Sequence, residues 1–395
     1  MLGVLTAMAA LTVDLSLPAV PAMAIDLATS LSMGQKIVGV FIAGMACGQI
    51  PAGLVGDRLG RLPVLYVGIG IFAIAAIAAA ASSKIEAMLI ARFVQGFGAA
   101  AAIVLARAIV RDIASGKDAA KLMSLLTMIF TAAPVIAPTV GALLVAAWGW
   151  RAPFTVIAGL GVLVLIGIRV FLHETHSGNE TEHPVRQLRS SFAEFFSHRQ
   201  SIYGLLLIII PPAGFMSIIA LASSLVVEIY GYSITQFGFI FAAAGVSILL
   251  GATINRLLVS RFDSLQIIAV GITLMCLAST QLLFIAWVGQ APLAWVWTCI
   301  CIFMLTIAVI MPNATVIALD PLPRIAGVAS SIIGTLQNIV GATGALLGAA
   351  MYDGSLRNAL LLIGCAGIAT TTMFLLRPLI VPGGIVHHPE ELARD

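Results

Sequence analysis

The sequence predicts an all-α integral membrane protein with twelve transmembrane helices arranged as two six-helix halves. Three observations predict it. Charged residues make up 9% of the chain and hydrophobic residues 61%, whereas a soluble globular chain carries roughly 25% charged residues. Water cannot solvate such a chain, so lipid must. Apolar runs of about 20 residues recur along the whole length, each long enough to cross roughly 30 Å of hydrocarbon as a helix. The alternating short strands of an outer-membrane barrel are not seen. Finally, one polar stretch, His173 to Gln200, divides the runs into six plus six.

The expected spans, in order, are 2–24, 37–56, 63–82, 87–109, 120–146 and 151–172, then 202–226, 236–258, 265–287, 293–316, 326–350 and 357–380. The division is therefore 1–172 for the first half, 173–200 for a linker, 201–381 for the second half and 382–395 for a tail. The first run lacks a basic leader and exceeds signal-peptide length, so it reads as a span. Loops on the linker side hold Arg58, Arg61, Arg111, Lys117, Lys121, Arg186, Arg189, Arg199, Arg256, Arg261, Arg324, Arg377 and Arg394. The other side holds Lys36, Lys84, Arg151 and Arg357. By the positive-inside rule the linker and both termini are cytoplasmic, in the inner membrane of a bacterium. "GLVGDR" ending span two (Gly53, Asp57, Arg58) is echoed by "GATINR" ending span eight (Gly251, Asn255, Arg256). Two parallel repeats of six helices are a transporter architecture with its site between the halves.

Span one carries Asp14 near its middle, in "LTVDLSLPAVPAM". Hydrocarbon disfavours the charged form of a carboxylate, which suits reversible protonation. An intramembrane acid is a functional candidate by default, with a structural hydrogen-bonding role as the alternative. Pro18 and Pro21 interrupt the helix just beyond it. Span two ends in "GLVGDRLGRLP", where the chain turns in about five residues and Gly60 permits the turn. Asp57 stands at a helix end, able to pair with basic groups nearby. Span four holds Arg92 in "ARFVQGFGAAA". An arginine in hydrocarbon costs at least ~2.5 kcal/mol, so it faces the protein interior, or else snorkels to the surface near Glu86. Gln95 and Gly96 follow one turn later, the glycine allowing close helix approach. Span five carries Pro134 and Pro138, four apart, each removing a backbone hydrogen bond and bending the axis.

Here the chain resembles the major facilitator superfamily. The pattern G-x-x-x-D-R-x-G-R from Gly53 through Gly60 to Arg61 is similar to the loop between the second and third helices of that family, with Leu62 where a second basic residue is usual. The resemblance implies that Asp57, Arg58 and Arg61, together with Arg111 and Asp112, form a charge network holding the cytoplasmic gate. R-x-x-Q-G-x-G at Arg92 resembles the fourth-helix motif, which implies proton transfer. Ala137 to Ala142, with Pro138 and Gly141, resembles the G-P-x-x-G-G motif of exporters, with alanine for two glycines. Asp14 with its leucine and prolines resembles the bicyclomycin and chloramphenicol resistance branch, in which Ser16 is usually an aromatic residue. "RAIVRDIASGKDAAKLMS", "WGWRAPF", "YGYSITQFGFIF", "MPNATVIAL" and "RIAGVASSIIGTLQ" extend that likeness over nearly the whole chain.

Several features bear the plainer reading. Gly327, Gly334, Gly341 and Gly348 recur every seven residues and, with Gly344, form a close-packing stripe. Gln49, Asn313, Gln337 and Asn338 are amides inside spans, suited to substrate or, more commonly, to interhelical bonds. Phe215 and Phe241 are open to a cavity or a packing role. The five cysteines are apolar packing residues. His173, Glu174, His176 and His183 lack the helical pair spacing of a metal site and read as a solvated linker. No phosphate-binding G-x-x-x-x-G-K-[ST] loop exists, and neither HExxH nor GxSxG is present, which argues against an ATPase or an intramembrane enzyme.

The sequence thus leads to proton-coupled efflux of small, lipophilic drugs or toxic compounds by alternating access. Asp14 and Arg92 carry the coupling, and a possible substrate cavity includes Gln49, Gln95, Phe215, Asn313 and Gln337. The expected partners are a small-molecule substrate, protons and the bilayer, with no nucleic acid, no metal, no cofactor beyond the proton gradient, and a monomeric state. The alternatives are a symporter or facilitator for a metabolite and, more remotely, a receptor on the same scaffold.

Overall fold

A computed structural model describes residues 1–114, 116–176, 184–322 and 325–385. The side chains at a third of the positions of α6, at half of those of α8 and at the first two of α14 also lie outside that description. The helices are α1 (Leu2–Ser16), α2 (Val20–Asp26), α3 (Leu31–Leu59), α4 (Arg61–Ala80), α5 (Ile85–Ile113), α6 (Gly116–Trp148) and α7 (Arg151–Phe171), followed in the linker by α8 (Pro184–Ser197). The second half holds α9 (Arg199–Ile209), α10 (Pro211–Ser224), α11 (Ile234–Leu258), α12 (Ser264–Val288), α13 (Leu293–Leu319), α14 (Ala326–Met351), α15 (Leu356–Leu375) and a last turn, α16 (Arg377–Ile380). Among the described residues, eleven helical stretches are long and apolar enough to span a membrane. The 33-residue α6 is the twelfth, its described apolar part running from Ala133 to Trp148.

Polar caps set the helix ends. The hydroxyls of Ser30, Ser233 and Ser355 each accept from a backbone N–H three residues on, satisfying donors that a helix start leaves unpaired. Gly289 closes α12 in the left-handed region (φ 79°), where a side chain would be strained.

The structure corrects several local expectations. Pro18 and Pro21 do not break span one. They tighten it into a single 3₁₀ turn, Leu17–Ala19, between α1 and α2. The turn after span two is shorter than five residues: Gly60 alone separates α3 from α4, at φ 94° and ψ 162°, a region essentially restricted to glycine. Span seven is interrupted at Ile210, before Pro211–Pro212, and closes with a π-helical turn at Leu225–Ile229. Span twelve stops at Leu375 rather than 380. Lys117, Lys121, Arg186, Arg189, Arg324, Arg394, His183 and Gly327, all named above, fall on side chains or residues outside the description.

With no hydrophobic drive between helices in lipid, close packing must hold the bundle. Small residues supply it. A Cβ at Gly96 of α5 would collide with the Phe41 carbonyl of α3, and one at Gly44 with the Phe93 carbonyl of α5. Ala100 meets Gly48 in the same seam, while its neighbour Ala101 packs against Gly68 of α4. The expected glycine stripe of α14 packs likewise against α10: Gly344 on the Ala213 backbone and Gly348 on Ser217.

Candidate functional site

Asp14 lies on α1, 3% exposed. Among the described residues, no hydrogen bond or ion pair reaches its carboxylate. The α1 backbone is pressed against α6 there, because a Cβ on Gly141 would strike the Leu15 carbonyl. The structure thus brings the acid's helix and the double-proline helix together.

Arg92 is fully buried, so it does not snorkel. Its Nη1 donates to Gln95 Oε1 (2.8 Å), its Nη2 to Ser16 Oγ (3.4 Å) and its Nε to the Ile37 carbonyl (3.4 Å). The guanidinium sits 4.6 Å from the Phe41 ring centre and 5.7 Å from that of Phe154. Neutral acceptors and aromatic faces therefore solvate the cation. Among the described residues no carboxylate pairs with it. Ser16 lies about 200° round α1 from Asp14, so Arg92 and Asp14 approach α1 from different sides. The two coupling residues are not an ion pair in this conformer. Ser16, singled out as a departure from the aromatic pattern, supplies a hydroxyl to the buried arginine.

The double-proline helix lies on the seam between the halves. Thr139 Oγ1 donates to the Gly238 carbonyl of α11 (3.0 Å). Pro138 lacks an N–H, so the Pro134 carbonyl loses its helical donor. That carbonyl faces Gly245 of α11, where a Cβ would lie 2.8 Å from it. Both prolines stay inside one continuous helix.

At the linker-side end, Arg61 is 6% exposed. Its Nη1 donates to Asp57 Oδ1 and its Nε to Asp112 Oδ2 (2.9 Å). This is the expected charge network with two corrections. Arg58 and Arg111 are exposed and make no ion pair among the described residues. Gly53 meets only a Val104 methyl, at ordinary distance, while Gly56 is the position pressed against Leu105.

Three residues that the sequence analysis placed in a solvated linker complete this network. Glu174 Oε1 accepts from the Arg61 backbone N–H (2.8 Å) and its Oε2 from that of Leu62 (2.9 Å). These are two of the orphan donors at the start of α4. Thr175 Oγ1 donates to Asp112 Oδ2 (3.1 Å), and His176 Nε2 lies 3.1 Å from the Asp57 carbonyl. Burial alone would raise the Glu174 carboxyl. The backbone N–H groups of Leu62, Arg61, His176 and Thr175 together hold it below the usual glutamate value. The sequence signal was an acid two residues beyond the last apolar residue of span six.

Of the cavity candidates, Asn313 is committed elsewhere: its Nδ2 donates to Asn255 Oδ1 (2.6 Å) and to the Val309 carbonyl (2.8 Å). Asn255 is the residue that echoes Asp57, so the repeat keeps a linker-side polar tie in neutral form. Gln95 is bound to Arg92, and its Nε2 is buried without a partner among the described residues. Gln49 accepts from Thr335 (3.3 Å) across the halves. Phe215 is half-buried against the core. Gln337 is half-buried and has no hydrogen bond among the described residues.

Among the described residues, the halves also meet on the face away from the linker. Ser32 Oγ donates to the Ala349 carbonyl (2.5 Å), Gln35 Nε2 to Ser224 Oγ (2.7 Å), and Gly39 packs on Leu346. The conformer is closed on that face. On the same face Asp26 accepts from Trp150 Nε1 (3.0 Å) and Arg151 Nη1 (2.8 Å), tying the ends of α2 and α7.

A family model described as Major Facilitator Superfamily matches residues 2–345. The "Bicyclomycin resistance protein homolog" of Haemophilus influenzae is 29% identical over 345 residues, 86% of either chain. "Multidrug resistance protein D" of Escherichia coli is 29% identical over 343 residues, 86% of this chain and 85% of its own. Among solved structures, a D-xylose–proton symporter superposes with a TM-score of 0.78 over 94% of this chain and 95% of its own. At 17% identity that likeness is one of fold alone.

Proposed function

The chain belongs to the major facilitator superfamily, and from that premise we propose that it exports small lipophilic compounds in exchange for protons, by rocking of two halves about a central site. The observation that carries the reading is Asp14: a carboxylate buried in α1 with no hydrogen-bond or ion-pair partner among the described residues. A structural acid is normally paired or hydrogen-bonded when buried. One held ready for a proton is left free. Relatives named for bicyclomycin and multidrug resistance support the direction of transport and the substrate class.

In this reading the linker side is the cytoplasm and the sealed face is the periplasm. Asp14 takes a proton when the outer face opens and gives it up towards the cytoplasm, where substrate competes for the site. Substrate and proton must favour different conformers, since equal binding to both shifts nothing. Arg92 acts at a distance on the same helix, holding α1 through Ser16 rather than by pairing with the acid. Arg61 with Asp57, Asp112 and Glu174 sets the cytoplasmic end.

The test is reconstitution in liposomes with an internal pH dye and an imposed pH gradient. Chloramphenicol, bicyclomycin and lipophilic cations are added in turn. Substrate-triggered proton flux in the wild type that is lost in Asp14→Asn is expected. Full coupled flux in Asp14→Asn overturns the role of the acid, and no flux with any compound from folded protein turns the reading towards a metabolite carrier.

A further inference from the structure

A groove of about 340 Å³ opens on the linker-side rim of the second half, between the start of α12 and the end of α15. Leu265, Ala269, Phe374, Leu375 and Pro378 form its apolar wall, and Gln266 and Arg377 are its polar groups. The two polar groups differ in availability. The Gln266 amide oxygen is engaged by the Asp263 backbone N–H (3.3 Å). Arg377 is half-buried, and among the described residues no carboxylate lies within ion-pair distance of it. Facing α12 bears one acid near the groove, Asp263, which stands at the helix start and is exposed. The other group near Arg377 is the phenol of Tyr203, whose hydroxyl is turned to the Phe374 carbonyl (3.5 Å). The guanidinium is therefore a half-buried cation with five donors and, among the described residues, no anion to receive them.

Its surroundings indicate what would supply one. Leu375 and Leu379 beside it are 69% and 75% exposed, so this rim faces lipid. The rim lies at the ends of spans on the linker side, which the positive-inside rule assigns to the cytoplasmic leaflet, where anionic lipids attract basic residues. A phosphodiester matches the planar fork of an arginine, and an acyl chain matches an apolar groove that runs on into the bilayer. We propose that this groove is a binding site for one anionic phospholipid of the cytoplasmic leaflet, with the headgroup phosphate on Arg377 and the first methylenes of a chain along Ala269 and Phe374. The site is independent of the transport reading, because it lies on the outer rim and uses none of the residues assigned to coupling or gating.

The full-length protein is placed in nanodiscs of mixed phosphatidylglycerol and phosphatidylcholine and released for native mass spectrometry, so that retained lipid is counted. Wild type is expected to retain one phosphatidylglycerol at least fivefold over phosphatidylcholine. Arg377→Gln is expected to retain both equally, and Ala269→Trp, which fills the groove, neither. Adding inorganic phosphate during release separates a lipid site from a bare anion site. Retention unchanged by phosphate supports the lipid, while displacement of the retained lipid by phosphate alone overturns it. Equal selectivity in wild type and Arg377→Gln, from two proteins with the same melting temperature, also overturns it.

Discussion

Replacing Glu174 by glutamine should unlatch the start of α4 without changing side-chain size. In the wild type one carboxylate receives two backbone N–H groups of the first helical turn, Arg61 at 2.8 Å and Leu62 at 2.9 Å, one on each oxygen. Glutamine keeps one oxygen and turns the other into a donor facing a donor, so one of those bonds must be lost. The charge that complements the helix N-terminus goes with it, a term of about 0.3–1 kcal/mol at an exposed site. Hydrogen bonds to a charged group contribute roughly 1.5–3 kcal/mol, but solvent at exposed Glu174 reduces this to the roughly 0.5–1 kcal/mol of a weak ordinary bond. The sum expected is about 1–2 kcal/mol, or a 5- to 30-fold change in the local opening equilibrium. Hydrogen exchange read by mass spectrometry on a peptide spanning Gly60 to Val64 measures it directly. The amides of Arg61 and Leu62 should exchange 5- to 30-fold faster in Glu174→Gln, with the middle of α4 unchanged. Exchange at wild-type rates would refute the latch and return these residues to a solvated linker. The pH dependence has a definite sign. The folded carboxyl is held below its ordinary value, so its contribution is complete above that ordinary value and is lost as pH falls through the lower folded one. The melting-temperature gap between wild type and variant should therefore close only in that acid range.

Two further outcomes follow from the seam between the halves. Gly245→Ala puts a Cβ within 2.8 Å of the Pro134 carbonyl, and backbone cannot yield as a side-chain tip can. Coupled flux should fall at least tenfold in the liposome assay, and a wild-type rate would show that α6 and α11 are less tightly apposed. Gln35→Ala removes the 2.7 Å bond to Ser224 across the sealed face, worth about 0.5–1.5 kcal/mol net. Spin labels at Ser30 and Asp353 should show the population open on that face rising about 2- to 12-fold. An unchanged distance distribution would mean that other contacts alone hold that face closed.

Much of the fold was legible because lipid enforces simple rules. Each span must satisfy its own backbone, so hydrophobic length alone marked the helices, and the first-half spans were placed to within a few residues at most ends. The family motifs were legible for a different reason: they are fixed spacings. R-x-x-Q-G-x-G lies on one helix, where residues three apart share a face, and Arg92 and Gln95 are bonded. In G-x-x-x-D-R-x-G-R the pair Asp57 and Arg61 stands on two helices and meets across the turn at Gly60.

What the sequence could not supply was partner choice across distant chain segments. It offered Arg58 and Arg61 equally to the gate; only the one-residue turn at Gly60 carries Arg61 between Asp57 and Asp112 and leaves Arg58 outside. It placed Asn313 in a cavity, but the packing of α13 on α11 hands it to Asn255. It set Glu174 in solvent, since nothing local says that span six ends beside span three. The sequence by itself determined that this is a membrane-embedded helical protein with one acid near the middle of its first span, because hydrophobic length and charge scarcity are properties of composition. Only the tertiary structure decided that Asp14 has no partner among the described residues while Arg92 donates from all three of its nitrogens, because hydrogen bonds are short-ranged and depend on which helix faces meet.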